Sequence, residues 1–217
     1  GTGSNDTRFC VDLSLQAKEL GVDGLLLVTP YYNKTSQKGL VESFNYIADC
    51  VQVPCILYNV PARTGCNIQP DTYFELSKNP NIVAVKEANG DTASVARTAA
   101  LCGDELAIYS GEDNQTIPVM ALGGKGVISV FSNVLPKEMH DITANMLRGD
   151  LDAARALNSQ YIDLMDGFFM DVNPIPMKEA MWQMGLISTN CCRLPLTSMP
   201  EDKQLNMTRL LKKHGLL

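Results

Sequence analysis

Strand-like apolar runs alternating with helical patterns predict an α/β fold built from βα units on a parallel sheet. The distinctive residues near the ends of those runs, Tyr32, Tyr58, Lys86 and Gly111, follow one another at intervals of 26, 28 and 25 residues, about one βα unit each, which predicts equivalent positions at successive strand ends. Beyond about residue 135 no strand-like run remains, which predicts a helical C-terminal region.

The expected strands are Leu25–Thr29, Cys55–Val60, Ile82–Ala88, Leu106–Gly111 and Gly126–Phe131. Between the first two, Leu40, Val41, Phe44, Ile47, Ala48 and Val51 recur on one helical face. Shorter helices are expected over Pro70–Ser77, Thr92–Cys102 and Asn114–Leu122, with Asp91 and Asp113 placed to cap the last two. Leu151, Ala154, Leu157, Tyr161, Leu164, Met165 and Phe168 mark a long amphipathic helix, and further helices are expected over Pro174–Met184 and Glu201–His214.

Five strands do not close a (β/α)8 barrel, which needs about 250 residues. The expected architecture is a TIM (β/α)8-type barrel lacking its first βα units, with a C-terminal helical appendage. It divides into a partial barrel over 1–148 and a helical region over 149–217. The start at Gly1-Thr2-Gly3, without an initiator Met, fits absent first units or a shortened relative. An open doubly wound sheet is the alternative.

The 217 residues are 45% hydrophobic, enough for one sizeable core. A formal net charge of -6 without a basic run argues against nucleic acid or an anionic membrane as partner. No stretch approaches the run of about 20 apolar residues that a membrane span needs, and no signal peptide is visible, so a cytoplasmic protein is expected. Cys10, Cys50, Cys55, Cys66, Cys102, Cys191 and Cys192 include no CxxC pair and read as buried or half-buried thiols in a reducing compartment. His140 and His214 stand far apart, so no metal is expected.

The chemistry concentrates at the strand ends. Strand alternation puts Ala84, Lys86 and Ala88 on one face of their run and Val83 and Val85 on the other. With the valines packed outward, Lys86 points inward among small residues near the C-terminal mouth, where barrels keep their active sites. Desolvation there favours the neutral, nucleophilic amine that forms a Schiff base. Tyr58 ends the preceding strand, and a phenol beside such a lysine can shuttle protons. Arg63, in the loop Pro61-Ala62-Arg63-Thr64-Gly65, can clamp a carboxylate. A lysine reaching solvent, a structural tyrosine and a surface arginine are the plain readings of each residue alone.

These motifs resemble the dihydrodipicolinate synthase branch of the pyruvate-dependent class I aldolase family. The matching segments are Gly1-Thr2-Gly3-Ser4-Asn5, Thr29-Pro30-Tyr31-Tyr32-Asn33, Tyr58-Asn59-Val60-Pro61-Ala62-Arg63-Thr64-Gly65 and Val85-Lys86-Glu87-Ala88. Ser110-Gly111-Glu112-Asp113, the run Gly123 to Ser129, and Asn173-Pro174-Ile175-Pro176 with Lys178 follow in register. The resemblance covers the whole chain. It implies a lyase that joins pyruvate, held as an imine on Lys86, to aspartate semialdehyde for lysine and diaminopimelate synthesis, with no cofactor beyond the lysine. It implies Tyr58 as proton relay, Arg63 as clamp on the second substrate, and backbone at Gly111 and Ile128 lining the pyruvate pocket. Tyr32 matches a tyrosine inserted into a neighbouring subunit's active site, which implies a homodimer or homotetramer.

The family's Gly-Thr-Thr-Gly-Glu loop, which supplies donors to the pyruvate carboxylate and a threonine to the proton relay, has no counterpart here. Asn5 and Tyr31 match an interface site for the effector lysine, but Phe9 stands where an acid is expected, which implies weak feedback inhibition. An N-acetylneuraminate lyase or sugar-acid aldolase of the same family is the second reading, and a truncated non-catalytic relative the third. A phosphate- or flavin-binding barrel has only Gly123-Gly124-Lys125-Gly126 in its favour, and that run fits a tight turn better.

Overall fold

Asp6 opens the first helix by accepting hydrogen bonds from the backbone N–H groups of Arg8 and Phe9, a cap that the sequence reading did not mark. In the computed structural model, which describes residues 1–217, this helix is α1 (Thr7–Glu19). The following elements are β1 (Leu25–Val28), α2 (Gln37–Val51), β2 (Cys55–Asn59), α3 (Pro61–Thr64), α4 (Pro70–Leu76), β3 (Ile82–Glu87) and α5 (Thr92–Cys102). The order continues with β4 (Ala107–Ser110), α6 (Thr116–Ala121), β5 (Gly126–Val127), α7 (Pro136–Arg148), α8 (Leu151–Gly167), α9 (Ile175–Gln183) and α10 (Glu201–Lys213). The chain divides into two units, Gly1–Ile128 and Ser129–Leu217.

The five strands form one parallel sheet in the order β1-β2-β3-β4-β5. A doubly wound sheet reverses its strand order at a switch point. These strands contain no reversal, so the doubly wound alternative is set aside. Leu25, Leu27, Cys55, Leu57, Val85 and Ile108 point to one face and bury against Leu40, Phe44, Ile47, Tyr73, Leu76 and Val95 of the helices. Each large apolar side chain taken out of water there contributes about 1.5–3 kcal/mol.

Four local features differ from expectation. Cys55 pairs with Ile82 but Ile56 pairs with Ala84, so Val83 is an extra residue in β3. Val83 is therefore 37% exposed instead of packed with Val85, while Ala84 and Lys86 share a face as expected. The segment Pro61–Thr64, expected as loop, makes a single helical turn, with Pro61 at its first position and Gly65 at φ 68 closing it through a 2.8 Å bond to the Pro61 carbonyl. Asp91 caps α5 through Ala93 and Ser94, but Asp113 does not cap α6. A 3-10 turn over Asp113–Gln115 intervenes, and Asp113 is buried. Finally, β5 stops at Val127, because Val130 turns to helical φ and ψ and the Ser129 hydroxyl accepts from the Ser132 N–H at 2.8 Å.

The second unit is helical, as expected. Gly149 at φ 80 joins α7 to α8, a left-handed position that costs a residue with a Cβ. Phe131 packs against Tyr161 and Phe168 with ring centroids 5.7 and 6.3 Å apart. The Asp163 carboxylate of α8 accepts from Lys213 at 2.6 Å and meets the His214 ring at 3.0 Å, tying the end of α10 to α8. Cys10, Cys55, Cys66 and Cys102 are buried free thiols, whereas Cys50 and Cys191 are exposed, against the expectation of covered thiols throughout.

Candidate active site

Parallel pairing brings Tyr58 and Lys86 together. They are register partners at the penultimate positions of β2 and β3, on the face opposite the helix-packed core. The Lys86 Nζ stands 4.4 Å from the centroid of the Tyr58 ring. Burial pushes the Lys86 amine below its ordinary value of 10.5, while Asp113 pulls it up and Arg63 pushes it down again. Burial likewise raises the Tyr58 phenol above 10.0, opposed by Arg63 and reinforced by Glu112. The pair therefore combines an amine that loses its proton more easily with a phenol that keeps one to give.

Gly111 lies just past β4, and its N–H donates to the Glu87 carbonyl at 2.7 Å. A Cβ built on it would stand 2.8 Å from the Ala88 Cβ, 3.1 Å from the Glu87 carbonyl oxygen and 3.2 Å from the Lys86 Cε. Gly111→Ala is thus expected to lower stability by about 1–3 kcal/mol through overpacking. An unchanged urea midpoint would contradict that close approach. The Ile128 N–H donates to the Ser110 carbonyl at 2.9 Å, so Ile128 borders the same strand end.

The near-equal spacing of the four strand-end residues does not translate into equivalent positions. Val28, not Tyr32, is in register with Tyr58, and Tyr109, not Gly111, is in register with Lys86. Tyr32 falls beyond the end of β1 at φ 69 and is 92% exposed. Arg63 is exposed on the turn α3, which Thr64 anchors: its hydroxyl accepts from Thr29 at 3.0 Å and donates to the Cys66 carbonyl at 3.0 Å. Asn5 and Tyr31 do meet, through a 3.2 Å bond from the Asn5 amide to the Tyr31 carbonyl, with Phe9 exposed on α1. A cleft of about 640 Å³ opens nearby, lined by Asn5, Arg8, Asn33, Lys34, Glu42 and Tyr46, and takes in none of Lys86, Tyr58 or Arg63.

Two acids beside the site were given no role in it by the sequence, Asp113 being expected only as a helix cap. Asp113 is 2% exposed and is the charge that most raises the Lys86 amine. Glu87 is 7% exposed, on the core side of β3. Its Oε2 accepts from the Tyr73 hydroxyl at 2.7 Å and its Oε1 from the Asn89 N–H at 2.9 Å. The Asn59 amide donates to both oxygens at 2.9 and 3.2 Å. Burial pushes this carboxyl up from 4.5 to about 7 against those hydrogen bonds. The signal was available, because alternation puts Glu87 among apolar residues on the buried side of the strand, where an acid needs partners. No group of three or more His, Cys, Asp or Glu is arranged to hold a metal ion, and no helix is long and apolar enough to cross a membrane.

Fold and site together define an α/β protein with a parallel sheet and a half-buried lysine over a tyrosine ring at the carboxyl ends of its strands. The chain belongs to the dihydrodipicolinate synthetase family, which it matches over residues 1–214. It is 50% identical over 216 residues to the 4-hydroxy-tetrahydrodipicolinate synthase of Caldicellulosiruptor bescii, covering 100% of this chain and 72% of the relative. Among solved structures, dihydrodipicolinate synthase from Aquifex aeolicus superposes with a TM-score of 0.97 at 42% identity, over 100% of this chain and 74% of that one. The chloride-inhibited dihydrodipicolinate synthase from Acinetobacter baumannii complexed with pyruvate matches equally, with a TM-score of 0.97, 42% identity and the same coverage. These relatives favour the dihydrodipicolinate synthase branch over the sialic-acid lyase and sugar-acid aldolase reading.

Proposed function

We propose that this chain carries the lyase chemistry of its relatives, condensing pyruvate with aspartate semialdehyde through an imine on Lys86. The observation that carries the reading is the desolvated Lys86 amine over the Tyr58 ring, in a chain of this family. The neutral amine attacks the keto carbon of pyruvate, and loss of water leaves the imine, with Tyr58 giving the proton that the departing hydroxyl takes. Removal of a methyl proton gives the enamine, which attacks the aldehyde of the second substrate and forms the new carbon–carbon bond. Arg63 holds the carboxylate of that substrate, and the backbone at Gly111 and Ile128 borders bound pyruvate. A relative 42% identical to this chain was solved in complex with pyruvate, which supports pyruvate as a ligand of this family. No cofactor is needed beyond the lysine.

The five strands are read as consecutive units of a (β/α)8-type barrel whose first units are not among them, forming a partial barrel over 1–148 with a helical appendage over 149–217. The protein works in the cytoplasm as a homodimer or homotetramer, in which the exposed Tyr32 reaches a neighbour's site. Asn5 and Tyr31 form the effector site, and Phe9, which cannot pair with an ammonium group, makes lysine inhibition at least severalfold weaker than in a relative bearing an acid there. Lysine titration of both proteins checks this, and equal sensitivity contradicts it.

The discriminating experiment offers the chain pyruvate with aspartate semialdehyde and, separately, N-acetylneuraminate. Consumption of the first pair alone supports the reading, whereas cleavage of the sugar acid alone overturns it. Tyr58→Phe is expected to slow turnover by about 10²–10⁴-fold while leaving some pyruvate capture. Unchanged turnover would remove Tyr58 from the proton relay.

A further inference from the structure

We infer that Glu87 is a positioning residue, which with Asn59 and Tyr73 fixes from the core side of the sheet how Lys86 and Tyr58 face each other. The inference rests on the reading of Lys86 as the imine-forming lysine. Asn59 and Glu87 are register partners immediately after the pair Tyr58 and Lys86. Alternation therefore sends one pair to the site and the next to the core. The core pair is locked: Asn59 donates to both carboxyl oxygens, its own Oδ1 accepts from the Ile68 N–H at 3.1 Å, and its amide also reaches Asn67 at 2.7 Å.

Tyr73, fully buried on α4, reaches across to the same carboxyl, and the Asn89 N–H holds it from the loop after β3. The ends of β2 and β3 and α4 thus converge on the Glu87 carboxyl, and the segment after α3 holds its partner Asn59. Two strand ends tied at that point cannot slip or twist apart without breaking several buried hydrogen bonds, each of which leaves a polar group unpaired. The titratable and polar groups gathered there are Tyr73 from α4, Asn59 from β2, Asn89 beyond β3, and Cys102 of α5 near the Tyr73 phenol. Asn59, Glu87 and the fully buried Tyr73 lie on the core side of the sheet, so Glu87 acts through the geometry of its neighbours.

The test measures the rate of borohydride-dependent pyruvate incorporation against pyruvate concentration, per folded molecule, in the unaltered chain and in Glu87→Ala, Glu87→Gln and Tyr73→Phe. A misplacement of about 1 Å at reacting groups costs on the order of 100-fold. The expected result is a limiting rate lowered about 10- to 100-fold in Glu87→Ala with half-saturation within about twofold. Glu87→Gln, which keeps the shape and one acceptor oxygen, should recover part of the loss, and Tyr73→Phe, which removes one donor, should show a smaller one. Limiting rates within twofold of the unaltered chain in both Glu87→Gln and Tyr73→Phe, with only thermal stability lowered, would overturn the positioning role. That outcome would leave the imine chemistry standing. Absence of any adduct in the unaltered chain would instead remove the reading of Lys86 and this inference with it.

Discussion

Raising the pH from about 4.5 to about 7 is expected to lower the unfolding free energy of this chain by about 3 kcal/mol through Glu87 alone. Folding raises this acid's pKa from 4.5 to about 7, so the folded chain keeps a proton that the unfolded chain has already lost in that window. The stability contributed by the protonated acid is complete below about 4.5, falls as the pH rises through about 7, and flattens above it. The cause is burial, since the bonds from Tyr73, Asn59, Asn89 and Ala88 pull the other way. Glu87→Gln cannot ionise, so subtracting its pH–stability profile, measured by urea unfolding, isolates the contribution. Profiles that run parallel between pH 4.5 and 7 would mean that the carboxyl is not held up by its surroundings.

Lys86→Ala is expected to abolish pyruvate incorporation altogether. No other side chain of the site offers a primary amine, since Arg63 carries a guanidinium. Lys86→Arg should be equally inert although it keeps the charge, which separates nucleophilic from electrostatic roles. Because burial lowers the Lys86 amine from 10.5, the incorporation rate of the unaltered chain should rise with pH and level off below that value. Incorporation that survives either substitution would place the nucleophile elsewhere.

The strands, most helices and the meeting of Tyr58 with Lys86 were legible because they follow from periodicity, and one βα unit of spacing brings parallel strand ends together. The bulge at Val83 was not legible, since an extra residue in one strand leaves apolar alternation almost intact. The helical turn at Pro61 and the early stop of β5 depend on local φ and ψ choices that Pro61, Gly65 and Ser129 permit without dictating. Near-equal spacing misplaced Tyr32 and Gly111, because connecting segments differ in length and register is set by the hydrogen-bond ladder. Glu87 was passed over and Asp113 expected only as a cap for a common reason: a buried acid shows its role only when its surroundings are known, and the Glu87 partner Tyr73 lies on another element.

The central claim, that Lys86 is the residue that binds pyruvate covalently, is tested most directly by intact-mass measurement after incubation with pyruvate and borohydride, followed by peptide mapping. One reduced pyruvate adduct, located on Lys86, is the predicted result. No adduct, or an adduct on a different lysine, would contradict the account while leaving the family and the parallel α/β fold in place.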